Sequence, residues 1–245
     1  MNKIQKSAAS LLLNYISNDP MEKLPKVFEL VEKLDKDNLY ASKIRVVRNV
    51  LLDENGVWSG FIRDLYKDVD VKILKKFVEC FIINANLDWA AKKRDMEKQY
   101  DCNIPWTILM DPTSACNLSC TGCWAAEYGD RNNLSYETLD SIIKQANELG
   151  MFFFIFSGGE PLVRRKDIIR LCEAHQDCFF FAFTNGTLVD DELCKEMQRA
   201  ANFALAFSIE GDEEATDMRR GKGTYKKVIE AMKRMREHHL LFGYS

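Results

Sequence analysis

Residues 106–124 are Trp106-Thr-Ile-Leu-Met-Asp-Pro-Thr-Ser-Ala-Cys116-Asn-Leu-Ser-Cys120-Thr-Gly-Cys123-Trp124, an apolar run followed by three cysteines within eight residues. The apolar run predicts a β-strand, and the cysteines follow the point where this strand ends. Three clustered thiols suit a soft metal ion or an iron–sulfur cluster better than they suit disulfides. This stretch therefore predicts a metal centre at the end of a strand.

The chain after residue 104 alternates short apolar runs with amphipathic helical segments. This alternation is typical of a parallel sheet whose strands are joined by crossover helices. Strands are predicted at residues 106–110, 152–156, 179–183, 203–209 and 240–244. Helices are predicted over residues 134–149 and 166–174, from residue 190, and over residues 224–238. Four βα units and the start of a fifth predict an α/β fold, a barrel-like or open parallel sheet truncated after the fourth unit.

The region before the sheet has a different pattern, because its apolar side chains recur at helical spacing and extended runs of β-branched residues are absent. The clearest amphipathic helix has an apolar stripe from Ile73 to Ile82, and Asp70 is placed to cap its N-terminus. Further helices are predicted over residues 4–15, 21–34 and 39–52. We therefore predict two domains, an all-helical N-terminal region over residues 1–103 and the α/β domain over residues 104–245.

The composition of the chain narrows its possible functions. The 245 residues have a formal net charge of −3, with acidic and basic side chains mixed along the sequence. No basic field of the kind that marks nucleic-acid-binding proteins is therefore expected. No stretch approaches the roughly 20 apolar residues that a membrane span needs. Eight cysteines at irregular spacing fit a reducing compartment. We predict a cytoplasmic protein with no nucleic-acid partner and no membrane span.

Polar and glycine-rich segments also follow the next three predicted strands. They are Ser-Gly-Gly-Glu-Pro at residues 157–161, Thr-Asn-Gly-Thr at residues 184–187 and Ser-Ile-Glu-Gly at residues 208–211. The carboxyl ends of parallel strands lie at one rim, and that rim is where βα proteins build their sites. The sequence therefore predicts that these three loops converge with the cysteine loop on one site.

Cys116, Cys120 and Cys123 have a spacing that can supply three corners of a [4Fe–4S] cluster, which normally takes four cysteine ligands. One iron would then remain open, and an open coordination position implies reactivity, as it does in catalytic zinc sites. A zinc knuckle with a distant fourth ligand is the alternative, although zinc sites more often pair two Cys-x2-Cys units. The other five cysteines are predicted to be small buried apolar residues: Cys80, Cys102, Cys172, Cys178 and Cys194.

The motif Cys116-x3-Cys120-x2-Cys123 resembles the cluster motif of the radical S-adenosylmethionine (radical SAM) superfamily. Three further segments resemble the branch that includes molybdopterin-biosynthesis and peptide-maturing enzymes. They are Asn117-Leu118, residues 158–161, and residues 208–211 followed by Arg220-Gly221. The resemblance covers the chain from about residue 104 to its end. It implies a partial (β/α) TIM-like barrel of the radical SAM type, preceded by the helical region.

The resemblance also implies a role for each matching residue. The three cysteines would ligate the cluster, and S-adenosylmethionine (SAM) would chelate the open iron through its amino and carboxylate groups. The predicted SAM-binding residues are Gly158, Gly159, Glu160, Asn185, Ser208, Glu210 and Arg220. Arg220 would pair with the SAM carboxylate, because a planar guanidinium suits a bidentate partner. Ser208 and Glu210 could meet the ribose hydroxyls, whereas many relatives have Asp in place of Glu210.

Some of these residues also have a structural interpretation. A tight strand-to-helix turn explains Gly158 and Gly159 but leaves Glu160 without a role. Asn185 precedes a glycine in a pair that favours a turn, so a turn and a ligand contact are equally supported. Arg219, beside Arg220, is interpreted as a solvated side chain.

The resemblance implies an enzyme that cleaves SAM reductively to a 5′-deoxyadenosyl radical, which abstracts hydrogen from an unknown substrate. That substrate would be a small molecule or a peptide, and the electron would come from a donor such as flavodoxin or ferredoxin. The alternative is a non-catalytic iron–sulfur or SAM-binding module, or a fragment of a longer enzyme, because the predicted sheet is incomplete.

Overall fold

The computed structural model describes residues 20–34, 41–129 and 131–245. The helix predicted over residues 4–15 lies outside these ranges. The chain divides into two compact units, Met1–Lys75 and Lys76–Ser245. No helix in the described ranges is long and apolar enough to span a membrane.

The described part of the first unit is helical, as predicted. Its helices are α1 (Pro20–Leu34), α2 (Ala41–Leu52), α3 (Val57–Asp68) and most of α4 (Val71–Phe77). Helices α1, α2 and α3 pack on one another. The carboxylate of Asp70 accepts a hydrogen bond from the Lys72 backbone N–H at 2.6 Å, which confirms the predicted cap of α4.

The second unit contains the sheet and its crossover helices. Its strands are β1 (Thr107–Met110), β2 (Phe153–Phe156), β3 (Phe179–Thr184), β4 (Phe203–Phe207) and β5 (Phe242–Tyr244). Its longer helices are a π-helix (Val78–Asp88), α5 (Trp89–Tyr100), α6 (Tyr136–Glu148), α7 (Arg165–Ala174), α8 (Asp191–Ala200), α9 (Glu213–Arg220) and α10 (Thr224–Glu237). Two short 3₁₀ helices cover Trp124–Tyr128 and Pro161–Arg164.

The five strands are all parallel and lie in sequential order, β1-β2-β3-β4-β5. With right-handed crossovers, a sequential order places every crossover helix on the same face of the sheet. This is the winding of a TIM-like barrel, whereas a doubly wound sheet reverses direction and has helices on both faces. The predicted α/β architecture with a parallel sheet is therefore confirmed.

Side-chain caps fix the starts of two crossover helices where the sequence predicted them. The Ser135 hydroxyl accepts a hydrogen bond from the Thr138 N–H at 3.1 Å and caps α6. The Asp190 carboxylate accepts from the Leu193 N–H at 2.8 Å and caps α8. Because each cap satisfies a donor that the helix itself leaves unpaired, the loops before α6 and α8 end at defined points.

The π-helix packs on one face of the sheet, near the start of β2 and β3. The Phe81 ring of the π-helix meets the Phe153 ring edge-on at a centroid distance of 4.9 Å. Phe77, the last residue of α4, meets Phe179 in the same way at 5.2 Å. Phe153 and Phe179 are the first residues of β2 and β3, so their side chains point to the same face. This end of the sheet is therefore closed, and the loops at the carboxyl ends of the strands form the accessible rim.

Several predicted boundaries differ from the structure; β5, for example, begins at Phe242 rather than at residue 240. The helix expected to continue through Ile82 is α-helical only to Phe77 and then follows a π-helix. The fourth strand ends at Phe207 rather than at residue 209, although the Ser208 N–H still donates to the Thr184 carbonyl at 2.8 Å. The compact unit that holds the sheet also includes residues 76–103. The domain boundary after residue 103 stays a prediction.

Candidate cofactor site

One cavity at the rim brings the four predicted loops together. Its volume is about 180 Å³. It is lined by all three motif cysteines and by six of the seven predicted SAM-binding residues, Gly158, Gly159, Glu160, Asn185, Ser208 and Arg220. Small-molecule sites usually have volumes of about 300–1,000 Å³. A cavity of this volume can hold part of a cofactor.

The cysteine loop is fastened to two neighbouring segments through its backbone. The Thr121 N–H donates to the Arg219 carbonyl at 2.7 Å, and the Glu160 N–H donates to the Ala115 carbonyl at 2.8 Å. These bonds join the loop after β1 to the end of α9 and to the loop after β2. The position of the cysteine loop is therefore set by the same elements that supply the predicted SAM-binding residues.

The three motif thiols are free and line the same cavity. Cysteine thiolates are the ligands that hold iron–sulfur clusters. Within the described ranges, no three His, Cys, Asp or Glu side chains are grouped so that they could hold a metal ion. A cluster does not require such a group, because each of its cysteines binds a different iron. Burial raises the pKa of the Cys116 thiol, and the Glu160 carboxylate acts in the same direction. The residues present thus fit a cluster.

The two glycines allow the loop after β2 to contact the cysteine loop directly. Gly158 has a φ of +104°, and a Cβ at this position would lie 2.6 Å from the Thr113 carbonyl oxygen. A Cβ at Gly159 would lie 2.2 Å from the Ala115 carbonyl oxygen. Both distances are shorter than van der Waals contact, so a side chain would push the loops apart. The glycines therefore have a structural reason to be present, whether or not they also contact SAM.

Glu160 has the structural role that the sequence interpretation left unassigned. Its side chain is buried, with 1% of the residue exposed. One carboxylate oxygen accepts hydrogen bonds from the Leu162 N–H at 3.0 Å and the Thr184 hydroxyl at 2.8 Å. The other accepts from the Asn185 N–H at 2.7 Å. Burial raises the pKa of this carboxyl, while the three donors act to lower it. Glu160 therefore joins the loop after β2 to the end of β3.

We expect Glu160→Gln to lower the free energy of unfolding by about 1–3 kcal/mol, because one buried donor loses its acceptor. Denaturant titration followed by circular dichroism measures this change. The control is Glu173→Gln, because Glu173 pairs with Arg199 at an exposed position and surface pairs contribute about 0–1 kcal/mol. Equal stability of the two variants would contradict the role assigned to Glu160.

Glu210 binds two arginines at once. Arg220 donates to one of its carboxylate oxygens from Nε at 3.0 Å and from Nη2 at 2.6 Å. Arg219 donates from Nη1 to both oxygens at 3.0 Å. Burial acts to raise the pKa of Glu210, but the hydrogen bonds from the two arginines hold it below its usual value. Arg219 is exposed, as predicted, and its side chain also helps to hold Glu210.

The other predicted residues lie around the same cavity. Ser208 follows the last residue of β4 and faces the cavity, as does Asn185 at the end of β3. Trp124 opens the first 3₁₀ helix, also lines the cavity and is 61% exposed. Glu210 does not line the cavity itself and reaches it through its ion pair with Arg220. The structure therefore brings together every residue that the sequence assigned to the site.

Four of the five remaining cysteines are buried as predicted: Cys80, Cys172, Cys178 and Cys194. Cys102 is exposed, so its predicted burial was wrong. It follows α5 in the connection to β1, where the chain runs over the surface.

Three polar residues of the site were not predicted from the sequence as hydrogen-bond partners: Asn117, Thr184 and Thr187. Thr184 bonds Glu160, 24 residues away, and Asn117 bonds Thr187, 70 residues away. Local patterns do not report contacts at such separations.

A family model described as the radical SAM superfamily matches residues 110–242. The chain belongs to the radical SAM superfamily. The match runs from the last residue of β1 through the first residue of β5, so it includes all four loops of the cavity. The cofactor classes that the sequence predicted, a [4Fe–4S] cluster and SAM, are those of this family, and that prediction is confirmed.

Curated proteins are similar to part of the chain. Fe-coproporphyrin III synthase of Methanosarcina barkeri is 30% identical over 141 residues, which cover 56% of this chain and 35% of that protein. The cysteine-type anaerobic sulfatase-maturating enzyme of Clostridium perfringens is 30% identical over 159 residues, which cover 56% of this chain and 43% of the relative. The chain thus spans less than half the length of these relatives.

Solved structures show the same fold. A structure described as native anSMEcpe with bound AdoMet and Kp18Cys peptide has a TM-score of 0.50 and 25% identity, and the match covers 56% of this chain and 42% of that one. Streptococcus suis SuiB bound to S-adenosylmethionine has a TM-score of 0.54 and 20% identity over 64% of this chain and 38% of its own. The likeness to SuiB concerns the fold alone and agrees with the partial TIM-like barrel that the sequence predicted.

Proposed function

We propose that this protein is a radical SAM enzyme that cleaves SAM reductively to abstract hydrogen from a small-molecule or peptide substrate. The observation that carries this proposal is the single cavity lined by three free motif cysteines and by residues from three further loops. A structural metal site would need only the cysteine loop. The convergence of the other loops supports a second ligand beside the metal centre.

The proposed roles follow from the chemistry of each side chain. Cys116, Cys120 and Cys123 would hold the cluster as thiolates. Arg220, which is 15% exposed at its side chain, would present two N–H groups to the SAM carboxylate. The Ser208 hydroxyl would donate or accept a hydrogen bond at the ribose, and the Glu210 carboxylate would accept one. Glu160 and Asn185 would close the floor of the site, and the backbone beside the glycines would approach SAM.

When both cofactors are bound, one electron from the cluster would enter the sulfonium of SAM and break its C5′–S bond, giving methionine and a 5′-deoxyadenosyl radical that takes a hydrogen atom from the substrate. The residues of this chain contribute by holding SAM in one orientation and by excluding water from it. The buried Glu160 and the paired Glu210 and Arg220 keep the polar groups of the rim fixed before SAM arrives.

Anaerobic reconstitution with iron and sulfide, followed by incubation with SAM and dithionite, tests the proposed function. We expect 5′-deoxyadenosine and methionine to form in equal amounts, which chromatography measures. Binding of SAM without 5′-deoxyadenosine would favour the non-catalytic module instead. Protein that binds zinc and takes up no iron and sulfide would contradict both.

We further propose that the protein works in the cytoplasm with a flavodoxin- or ferredoxin-type electron donor and without a nucleic-acid partner. Support comes from eight cysteines that form no disulfide, since cytoplasmic proteins keep thiols reduced. The net charge of −3 and the mixture of acidic and basic side chains also differ from the basic composition typical of polynucleotide-binding proteins.

A further inference from the structure

Three polar side chains beside the cysteine motif form a closed ring of hydrogen bonds. The Asn185 Nδ2 donates to the Asn117 Oδ1 at 2.9 Å, and the Asn117 Nδ2 donates to the Thr187 hydroxyl at 2.7 Å. The Thr187 hydroxyl donates in turn to the Asn185 Oδ1 at 2.7 Å. Each member therefore both donates and accepts, and bonds in such a chain polarise and strengthen one another. We call these three residues the amide ring.

The amide ring fixes which end of the Asn185 side chain faces the cysteines. The Asn185 Oδ1 accepts from both the N–H and the hydroxyl of Thr187, at 3.0 and 2.7 Å. The amide nitrogen must therefore point the other way, toward the cysteine loop. In a flipped amide, the Asn185 NH₂ group would face the Thr187 N–H, and two donors cannot form a hydrogen bond. Asn185 is also held by its own backbone N–H, which donates to Glu160, and only 6% of it is exposed.

The orientation of Asn185 brings an N–H group to a motif cysteine. Nδ2 carries two hydrogens, and the bond to Asn117 uses one of them. The other faces the Cys116 sulfur, with an Nδ2–Sγ distance of 3.9 Å. The Leu118 N–H approaches the same sulfur at 3.4 Å. Among the described residues, no N–H group donates to the sulfur of Cys120 or Cys123 in this way, so Cys116 has a distinct environment.

We propose that Asn185 is a positioning residue that holds Cys116 in place and raises the reduction potential of the cluster. This inference rests on the proposed function for its second part. Hydrogen bonds to the sulfurs are one of the factors that set the potential of an iron–sulfur cluster. A donor aimed at a thiolate stabilises the reduced cluster more than the oxidised one, because the reduced cluster carries more negative charge.

Two substitutions test the proposal against a matched control. Asn185→Ala removes the donor and opens the amide ring. Asn185→Asp keeps the shape and the acceptor for Thr187 but replaces the donor with an oxygen. The control is Thr121→Val, which alters the cysteine loop while keeping its backbone bond to Arg219. All three are compared with the unsubstituted chain at equal iron and sulfide content.

Potentiometric titration followed by electron paramagnetic resonance measures the midpoint potential of the reconstituted cluster. We expect a lower potential in Asn185→Ala, a still lower one in Asn185→Asp, and an unchanged one in Thr121→Val. Unchanged potentials in both Asn185 variants would overturn the proposal while leaving the proposed function intact. Failure of the unsubstituted chain to take up a cluster would instead overturn the proposed function.

A second measurement does not need the cluster. The cluster-free proteins are treated briefly with iodoacetamide, and peptide mass spectrometry measures the extent of alkylation at each motif cysteine. Loss of the Asn185 donor should slow the alkylation of Cys116 about fivefold or more relative to Cys123, because iodoacetamide reacts with the thiolate and an N–H donor stabilises that form. An unchanged ratio would show that Asn185 does not hold Cys116, even if the Asn185 variants failed to accept a cluster.

Discussion

Cys120→Ala is expected to abolish the formation of 5′-deoxyadenosine and to prevent stable loading of the cluster. Cys120 is the middle thiol of the motif and lines the cavity between the cysteine loop and the loop after β2. Losing a direct ligand should lower the rate at least about 100-fold, because even an outer-shell partner of a metal typically contributes about 10–100-fold. Iron and sulfide analysis and the anaerobic cleavage assay measure the two effects.

Cys102→Ala is the matched control for this variant. It makes the same substitution at an exposed cysteine outside the motif, so it should retain iron, sulfide and the rate of SAM cleavage. Cys120→Ala protein that keeps both its cluster and its rate would show that the motif does not supply the ligands. Thermal unfolding of both variants separates a loss of cluster from a loss of fold.

Arg220→Ala should weaken the binding of SAM about 10- to 150-fold, since a charge-assisted hydrogen bond contributes about 1.5–3 kcal/mol. Arg220 lines the cavity, and its guanidinium already binds a carboxylate, that of Glu210, through two nitrogens. This geometry is suited to the carboxylate of SAM. Equilibrium dialysis of labelled SAM against the reconstituted protein measures the dissociation constant.

Arg219→Ala is the comparison for Arg220, because the two neighbours bind the same carboxylate. The Arg219 side chain is 47% exposed, against 15% for Arg220, so water screens it more. We expect Arg219→Ala to change the dissociation constant less than about fivefold. If Arg219→Ala raised the dissociation constant as much as Arg220→Ala or more, Arg220 would not be the residue that binds the carboxylate of SAM.

The sheet and the cysteine site could be predicted because their signals are local. Each strand is a short apolar run between polar loops, and the caps Ser135 and Asp190 mark helix starts. The rule that parallel strands end at one rim then placed residues as distant as Cys116 and Arg220 around one cavity. That prediction needed the order of the strands and no knowledge of side-chain contacts.

The features that the sequence did not predict either lack a hydrophobic pattern or depend on contacts between residues far apart in the sequence. Helix α9 has the sequence Glu-Glu-Ala-Thr-Asp-Met-Arg-Arg, with Thr216 as its one buried residue, so it lacks an apolar stripe. The π-helix has the same kind of apolar composition as an α-helix, and hydrophobic spacing does not distinguish them over one or two turns. The role of Glu160 depends on Thr184 and Asn185, which β3 brings to it.

The most direct test of the central claim, that one rim cavity holds both cofactors, is the electron paramagnetic resonance spectrum of the reduced protein with and without SAM. We expect a [4Fe–4S]⁺ signal whose g-values change when SAM is added, because SAM would bind the open iron between the motif cysteines and Arg220. A spectrum that stays the same at saturating SAM would contradict the account.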